Sequence, residues 1–280
     1  MKIFISMDME GIPGTFNWDH ESKDRSSVKR YIRTHLEDII NSIVTSKQNG
    51  LIDEIVIADS HSMGDNLDYE ITALDERITL ISGGPRATYM MPTLDDSFDH
   101  VFLVGYHAGT GALHGNMDHT YSNSKIQHIS INGKAMNEAL INAAYAGIMG
   151  VPVTLVTGDL ALSRELQIDG ALPWANFVTT KEGVAKFAAK NYNMLKVRTS
   201  VQDAVEKALS KNKLDYPLYK FSDPIILRIE FHSTSMADMA CLMPETKRIN
   251  GKTVEYRNHD YAVMFEALMA LVSLAYTAGF

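Results

Sequence analysis

The chain has 280 residues, 45% of them hydrophobic, a formal net charge of -8 and one cysteine. That is enough apolar material for a sizeable core, in one large domain or two packed lobes. The acidic balance argues against a nucleic-acid partner. A single cysteine excludes an internal disulfide and a thiolate zinc finger alike, and Cys241 reads as a buried core thiol.

The chain opens on an apolar strand, Ile3, Phe4, Ile5 and Met7, that ends in two acids, Asp8 and Glu10, and then glycine. Acids at the end of a buried strand need water or a cation. After a polar loop, Val28, Ile32, Leu36, Ile39, Ile40 and Ile43 recur at helical spacing, with Asn49-Gly50 as the stop signal. The runs DEIVIADSHS, ITLISGG from Ile78 and HVFLVGYHAG read as short strands. KIQHISINGKA reads as a strand entering a turn, AMNEALINAAYAGIMG as a helix closing on Gly150, VPVTLVTGD as a strand and LALSREL as a short helix. Further on, KEGVAKFAAKN and SVQDAVEKALSK read as amphipathic helices, and PIILRIEF and TVEYRN as strands. The last helix starts near Tyr261. It is apolar but carries Glu266 and small polar residues, so it reads as buried and not as a membrane span. No signal peptide is visible, and a cytoplasmic protein without membrane attachment is expected.

Strands alternating with helices predict an α/β fold, a three-layer sandwich with a largely parallel sheet. A smaller α+β portion is expected at the C-terminal end. The whole chain, 1–280, reads as one catalytic unit, with a candidate lobe boundary near 210–223 where Lys, Asp and Pro cluster.

Ligands of open α/β sheets sit outside the carboxyl ends of the strands. Four predicted strands end there in an acid, a histidine or both: Asp8 and Glu10, Asp59 and His61, His107, and Asp159. Asp8 and Glu10 alternate across Met9, so both lean to one side, their Cα atoms roughly 6–7 Å apart. Five of the ten histidines fall between residues 100 and 128, three of them (His107, His114 and His119) in the glycine-rich stretch GYHAGTGALHGNMDHTYSNS. Imidazoles and carboxylates without cysteine suit zinc or manganese, and a bridging carboxylate holds two ions roughly 3.5–4 Å apart. Taken singly, each piece is weak. A strand-end aspartate is more often a helix cap, which applies to Asp59 and Asp159. His20, His35, His100, His128, His232 and His259 read as structural, and Glu138 as an exposed helical glutamate. The convergence of Asp8, Glu10, His61 and His107 is what points to a metal site.

SMDMEGI, ADSHS, FLVGYHA, GNMDH, INGKAMNEALINAAYAG, VTGD and the later IEFHSTSMADMACLMPET follow one another over essentially the whole chain. In this order they resemble the zinc-dependent D-aminopeptidases of the DppA type. The resemblance implies a two-zinc aminopeptidase that releases N-terminal D-amino acids from short peptides. It also implies a ring of identical subunits, a homodecamer, with the sites facing an inner chamber. It places the metal ligands on Asp8, Glu10, His61, His107 and Glu138, with Asp8 bridging, and the catalytic histidine on His119. Whether His119 is nucleophile or general acid/base stays open, as does the role of His114. Glu10 could instead act as a base, and Asp159 could orient a ligand histidine. Ala58 and Leu160 stand where the family pattern has asparagine and aspartate. The alternatives are another metal-dependent amidohydrolase or L-aminopeptidase on this scaffold, a phosphoesterase drawing on Arg86, and a non-catalytic peptide-binding protein.

Overall fold

Successive side chains of a strand face opposite ways, and in β1 (Lys2–Met7) residues 3–7 are buried on both faces. Such a strand needs cover on both sides, the usual setting of a parallel sheet. The computed structural model, which describes residues 1–278, provides that cover. The chain continues through α1 (Trp18–Lys23), α2 (Arg25–Val44), β2 (Glu54–Asp59), β3 (Ile78–Ile81) and β4 (His100–Tyr106). Next come β5 (Ile126–Ile131), β6 (Lys134–Ala135), α3 (Glu138–Ile148), β7 (Val153–Asp159), α4 (Leu160–Leu166), β8 (Asn176–Ala185), β9 (Ala188–Asn191) and α5 (Met194–Leu209). The last elements are β10 (Ile225–Phe231), α6 (Thr234–Ala240), β11 (Lys247–Arg248), β12 (Thr253–Asn258) and α7 (Tyr261–Tyr276).

The main sheet runs β3-β2-β1-β4-β7-β8-β9, parallel throughout except for β9 at its edge. On one face Ile3, Ile5, Met7, Ile55, Ile57, Phe102 and Val104 pack with apolar residues of α2 and α5. On the other, Phe4, Val56, Val101 and Leu103 join a core shared with α3, α7 and a second, antiparallel sheet of order β11-β12-β10-β5-β6. The α/β class with a largely parallel sheet is therefore as the strand pattern predicts. The smaller portion is not purely C-terminal, because its sheet takes β5 and β6 from the middle of the chain. Residues 210–223 connect α5 to β10. Among the described residues no helix is long and apolar enough to cross a membrane.

Four local expectations need correction. KEGVAKFAAKN is not a helix: it spans the end of β8 and all of β9, a hairpin at the sheet edge. The preceding residues, Asn176 to Thr180, start β8 on the parallel ladder with β7, and that pairing outweighs the helix propensity of the Ala and Lys that follow. The first long helix ends at Val44, and Asn49–Leu51 form a separate 3₁₀ turn. The polar loop after β1 contains α1, and the segment after β10 contains α6. Cys241 is half-buried.

From β1 the chain moves to β2 and β3 on one side, then returns to β4, β7 and β8 on the other. The crevice at such a reversal lies between β1 and β4, which here end at Met7 and Tyr106, one residue before Asp8 and His107. The strand ends approach closely because Gly105 has no side chain. It has φ of +76°, and a Cβ there would lie 2.2 Å from the Asp8 carbonyl oxygen. Gly11 N donates to Gly105 O at 2.6 Å and closes the loop that carries Glu10.

Two histidines outside the group that follows these strand ends are buried as neutral rings. His35 on α2 meets Thr157 Oγ1 at 2.9 Å, and burial pushes it down to about 4. His100 is 0% exposed and is likewise pushed to about 4 by burial. Both values lie below the unfolded imidazole near 6.5. Their stabilising contribution is therefore complete above about pH 6.5 and lost as pH falls toward 4, by at most about 3 kcal/mol per ring. Urea midpoints measured between pH 7 and 5 should fall steeply in the native chain and less so in His35→Gln/His100→Gln. An equal slope in both would contradict this assignment.

Candidate metal centre

Each candidate residue reaches the crevice from a different strand end or helix start. Asp8 follows β1, its amide donating to Val104 O at 2.8 Å. Glu10 lies two residues on, in a loop that Thr15 Oγ1 pins by donating to main-chain oxygens, Ile12 O at 2.8 Å among them. The fully buried Lys181 of β8 in turn donates to Thr15 O at 2.6 Å, and burial pushes its ammonium down to about 7. His61 stands in the loop after β2, which Asp59 organises by accepting from Asn66 N at 2.6 Å and Leu67 N at 2.8 Å. His107 follows β4. Glu138 is the first residue of α3, whose N-cap is Asn137.

The structure brings Asp8, Glu10, His61, His107, Glu138 and His119 together. Asp8, Glu10 and His61 form one group of converging ligand atoms, and Asp8, His107 and Glu138 a second, with Asp8 common to both; Glu10, His107 and His119 form a third that overlaps these two. His61 Nδ1 stands 3.2 Å from Asp8 Oδ1 and 3.0 Å from Glu10 Oε2. His107 Nε2 stands 3.5 Å from Asp8 Oδ2 and 3.6 Å from Glu138 Oε1. Donors bound about 2.0–2.1 Å from one tetrahedral ion lie roughly 3.3 Å apart. The spacings in both groups fit that pattern, and each group uses a different oxygen of Asp8. Asp8 Oδ2 and His107 Nε2 are buried without a hydrogen-bond partner, a costly arrangement that a cation between them would relieve. The residue set thus fits a metal pair, by donor chemistry as well as spacing.

The outer hydrogen bonds aim the rings. Since a carbonyl oxygen only accepts, His107 Nδ1 donates to Ala108 O and His119 Nδ1 to Met117 O, each at 2.9 Å. This turns both Nε2 atoms toward the carboxylates. His61 is held the other way round, with Nε2 3.0 Å from Glu21 Oε1 and Nδ1 facing inward. His119 stacks on His107 with centroids 4.2 Å apart, and its edge meets Trp18. Its Nε2 is 3.7 Å from Glu138 Oε1 and 4.0 Å from Glu10 Oε1.

The protons follow the charges. Burial and the neighbouring Glu10 push the Asp8 carboxyl up to about 8. Burial opposes ionisation of Glu10, but His61, His119 and His107 outweigh it and hold its carboxyl well below the usual range. Burial also opposes a charged His107, yet Glu138, Asp8 and Glu10 push that ring up to about 10. His119 is held below its ordinary value by burial and by the adjacent His107.

Several expectations resolve here. His114 is exposed and away from the cluster, whereas His119 is in it. Asp159 caps α4 by accepting from Leu162 N and also accepts from Asn116 N, both at 3.1 Å. Among the described residues it makes no hydrogen bond to a histidine. Besides Lys181, three contributors went unforeseen. Trp18 Nε1 donates to Glu10 Oε1 at 2.7 Å, and Glu21 holds His61; both sit on α1. The signal for that helix is present, because Asn17 caps it and Asp19 and Glu21 fill its first turn. The third is Glu165 of α4, which accepts from Gly109 N at 3.0 Å and from Asn137 Nδ2 at 2.7 Å. It ties the segment after His107 to the residue before Glu138, and no local pattern announces it.

The comparisons with known proteins point the same way. A family model described as D-aminopeptidase, peptidase family M55, matches residues 1–270. A D-aminopeptidase of Bacillus subtilis (strain 168) is 29% identical over 281 residues, covering 100% of both chains. The solved structure of the Zn-dependent D-aminopeptidase DppA from Bacillus subtilis, a self-compartmentalizing protease, superposes with a TM-score of 0.89 at 28% identity, again over 100% of each chain. With a metal-type cluster at the sheet's reversal point and a family match along nearly its whole length, the chain belongs to the M55 peptidases, the D-aminopeptidases.

Proposed function

We propose that this aminopeptidase binds two zinc ions per chain through Asp8, Glu10, His61, His107 and Glu138, and releases N-terminal D-amino acids from short peptides. The observation that carries the reading is the sharing of Asp8 by two groups of converging ligand atoms. When bound, zinc supplies Lewis-acid polarisation of the scissile carbonyl and an activated water near neutral pH. Asp8 holds both halves of the centre in fixed relation. Glu10 and Glu138, ionised beside the imidazoles, supply the negative charge that draws the cations.

His119 is assigned the proton work. Its Nδ1 proton is committed to Met117 O, so Nε2 is the atom free to exchange a proton with the reacting groups. Held below its ordinary value by burial and by His107, the ring is unprotonated near neutral pH, so Nε2 starts as a proton acceptor. Trp18 and the stacked His107 fix its plane. Manganese could occupy the same oxygen and nitrogen ligands. By likeness to the self-compartmentalizing relative, the chain assembles as a ring of ten with the cavities facing inward, which light scattering would read directly. A cytoplasmic setting belongs to the same reading, since nothing in the fold needs an oxidising compartment.

The zinc-loaded protein should release D-Ala from D-Ala-D-Ala much faster than L-Ala from L-Ala-L-Ala, and His119→Ala should lose about a hundredfold or more in kcat while keeping its metal. Preference for the L-peptide, or no release of either, would contradict the substrate assignment.

Glu165 gives a second test. Without its bonds to Gly109 and Asn137, His107 and Glu138 lose a common support, so Glu165→Ala should bind zinc about 10–100-fold more weakly. Competition with a chromophoric chelator reads this directly. Unchanged affinity would show that the two ligands are held without it.

A further inference from the structure

In front of the cluster lies a cavity of about 710 Å³, the size of a small-ligand site. Its metal-centre end carries Asp8, Glu10, Glu21 and Glu138. Among the described residues, its lining includes one lysine or arginine, Arg86. The chain holds 34 acidic residues against 26 Lys and Arg, so an arginine facing a cavity without a carboxylate partner stands out.

Arg86 follows Gly84-Pro85 in the segment after β3. Its Nη2 donates to Asp59 O at 2.7 Å, which tethers the guanidinium to the end of β2, two residues before His61. Nε and Nη1 are screened from solvent and find no hydrogen-bond partner. Guanidinium donors in this state are costly to leave unanswered, and the group remains charged despite burial. The nearby Asp59 carboxylate favours the charge, but among the described residues no carboxylate pairs with the fork.

We infer that Arg86 receives the C-terminal carboxylate of the peptide substrate. The cavity then holds one binding feature for each end of a short peptide, the metal centre for the α-amine end and a guanidinium for the carboxylate end. Receiving a carboxylate requires the guanidinium to turn so that Nε or Nη1, screened in the unliganded chain, meets the cavity that Arg86 lines. A planar fork is the group that pairs with a carboxylate through two parallel hydrogen bonds. Arg86 is thereby a specificity residue, favouring peptides whose free C-terminus lies within reach of the cleavage site. The inference rests on the peptidase reading above.

The test is the ratio of kcat/KM for D-Ala-D-Ala to that for its C-terminal amide, measured on the zinc-loaded full chain. The native protein should favour the free acid about tenfold or more, chiefly through KM. In Arg86→Gln the ratio should fall toward one, and in Arg86→Lys part of it should return. A ratio near one in the native protein overturns the inference without any variant. A ratio left unchanged by Arg86→Gln, with both substrates slowed alike, also overturns it and shows Arg86 acting only on the strand end that carries His61. Hydrolysis of neither peptide by the native protein would instead sink the peptidase reading, and the inference with it.

Discussion

Three carboxylates and three imidazoles are packed into one crevice, and the rest of the molecule is arranged around that crowding. Asp8 is 3% exposed, Glu10 2% and His107 1%. Buried like charges repel, and the cluster answers by sharing protons: Asp8 keeps its proton up to about pH 8 while His107 keeps its own up to about pH 10. Protons in these positions stand in for cations. Metal binding and proton release at this site are therefore two sides of one equilibrium.

The fold is what makes the crowding feasible. β1 and β4 lie side by side where the sheet reverses direction, and their ends are brought within van der Waals reach by glycine at position 105. Asp8 and His107 emerge from those two strands. The flanking strand β2 supplies His61, and α3 brings Glu138 from above with its first residue. Hydrogen bonds behind the ligands then set the rings: Glu21 behind His61, main-chain oxygens behind His107 and His119, Tyr121 N on Glu138 Oε1. Lys181 and Glu165 tie the carrying loops together from beneath.

Much of this was legible in the chain because it is local. A mostly apolar strand ending in two acids announces a buried parallel strand with something to bind at its tip. The repetition of that pattern at His61 and His107 converts four weak signals into one. Glu138 was different: alone it looked like any helical glutamate, and only the resemblance singled it out. Glu165 and Lys181 act over separations of many residues, through hydrogen bonds that no spacing rule encodes. The β8–β9 hairpin was missed for a related reason. Its Ala and Lys residues favour helix locally, and the ladder that overrides them comes from β7. The choice between His114 and His119 also needed the folded loop, which leaves the former exposed and stacks the latter on His107.

The central claim is that one carboxylate, Asp8, joins two metal sites. The most direct test is metal content by elemental analysis after equilibration with limiting free zinc, with folding verified by circular dichroism. The native chain should hold two zinc ions, and His107→Ala one. Asp8→Ala should hold well under one, because both sites lose a ligand at once. Two zinc ions retained by Asp8→Ala would contradict the shared-carboxylate account.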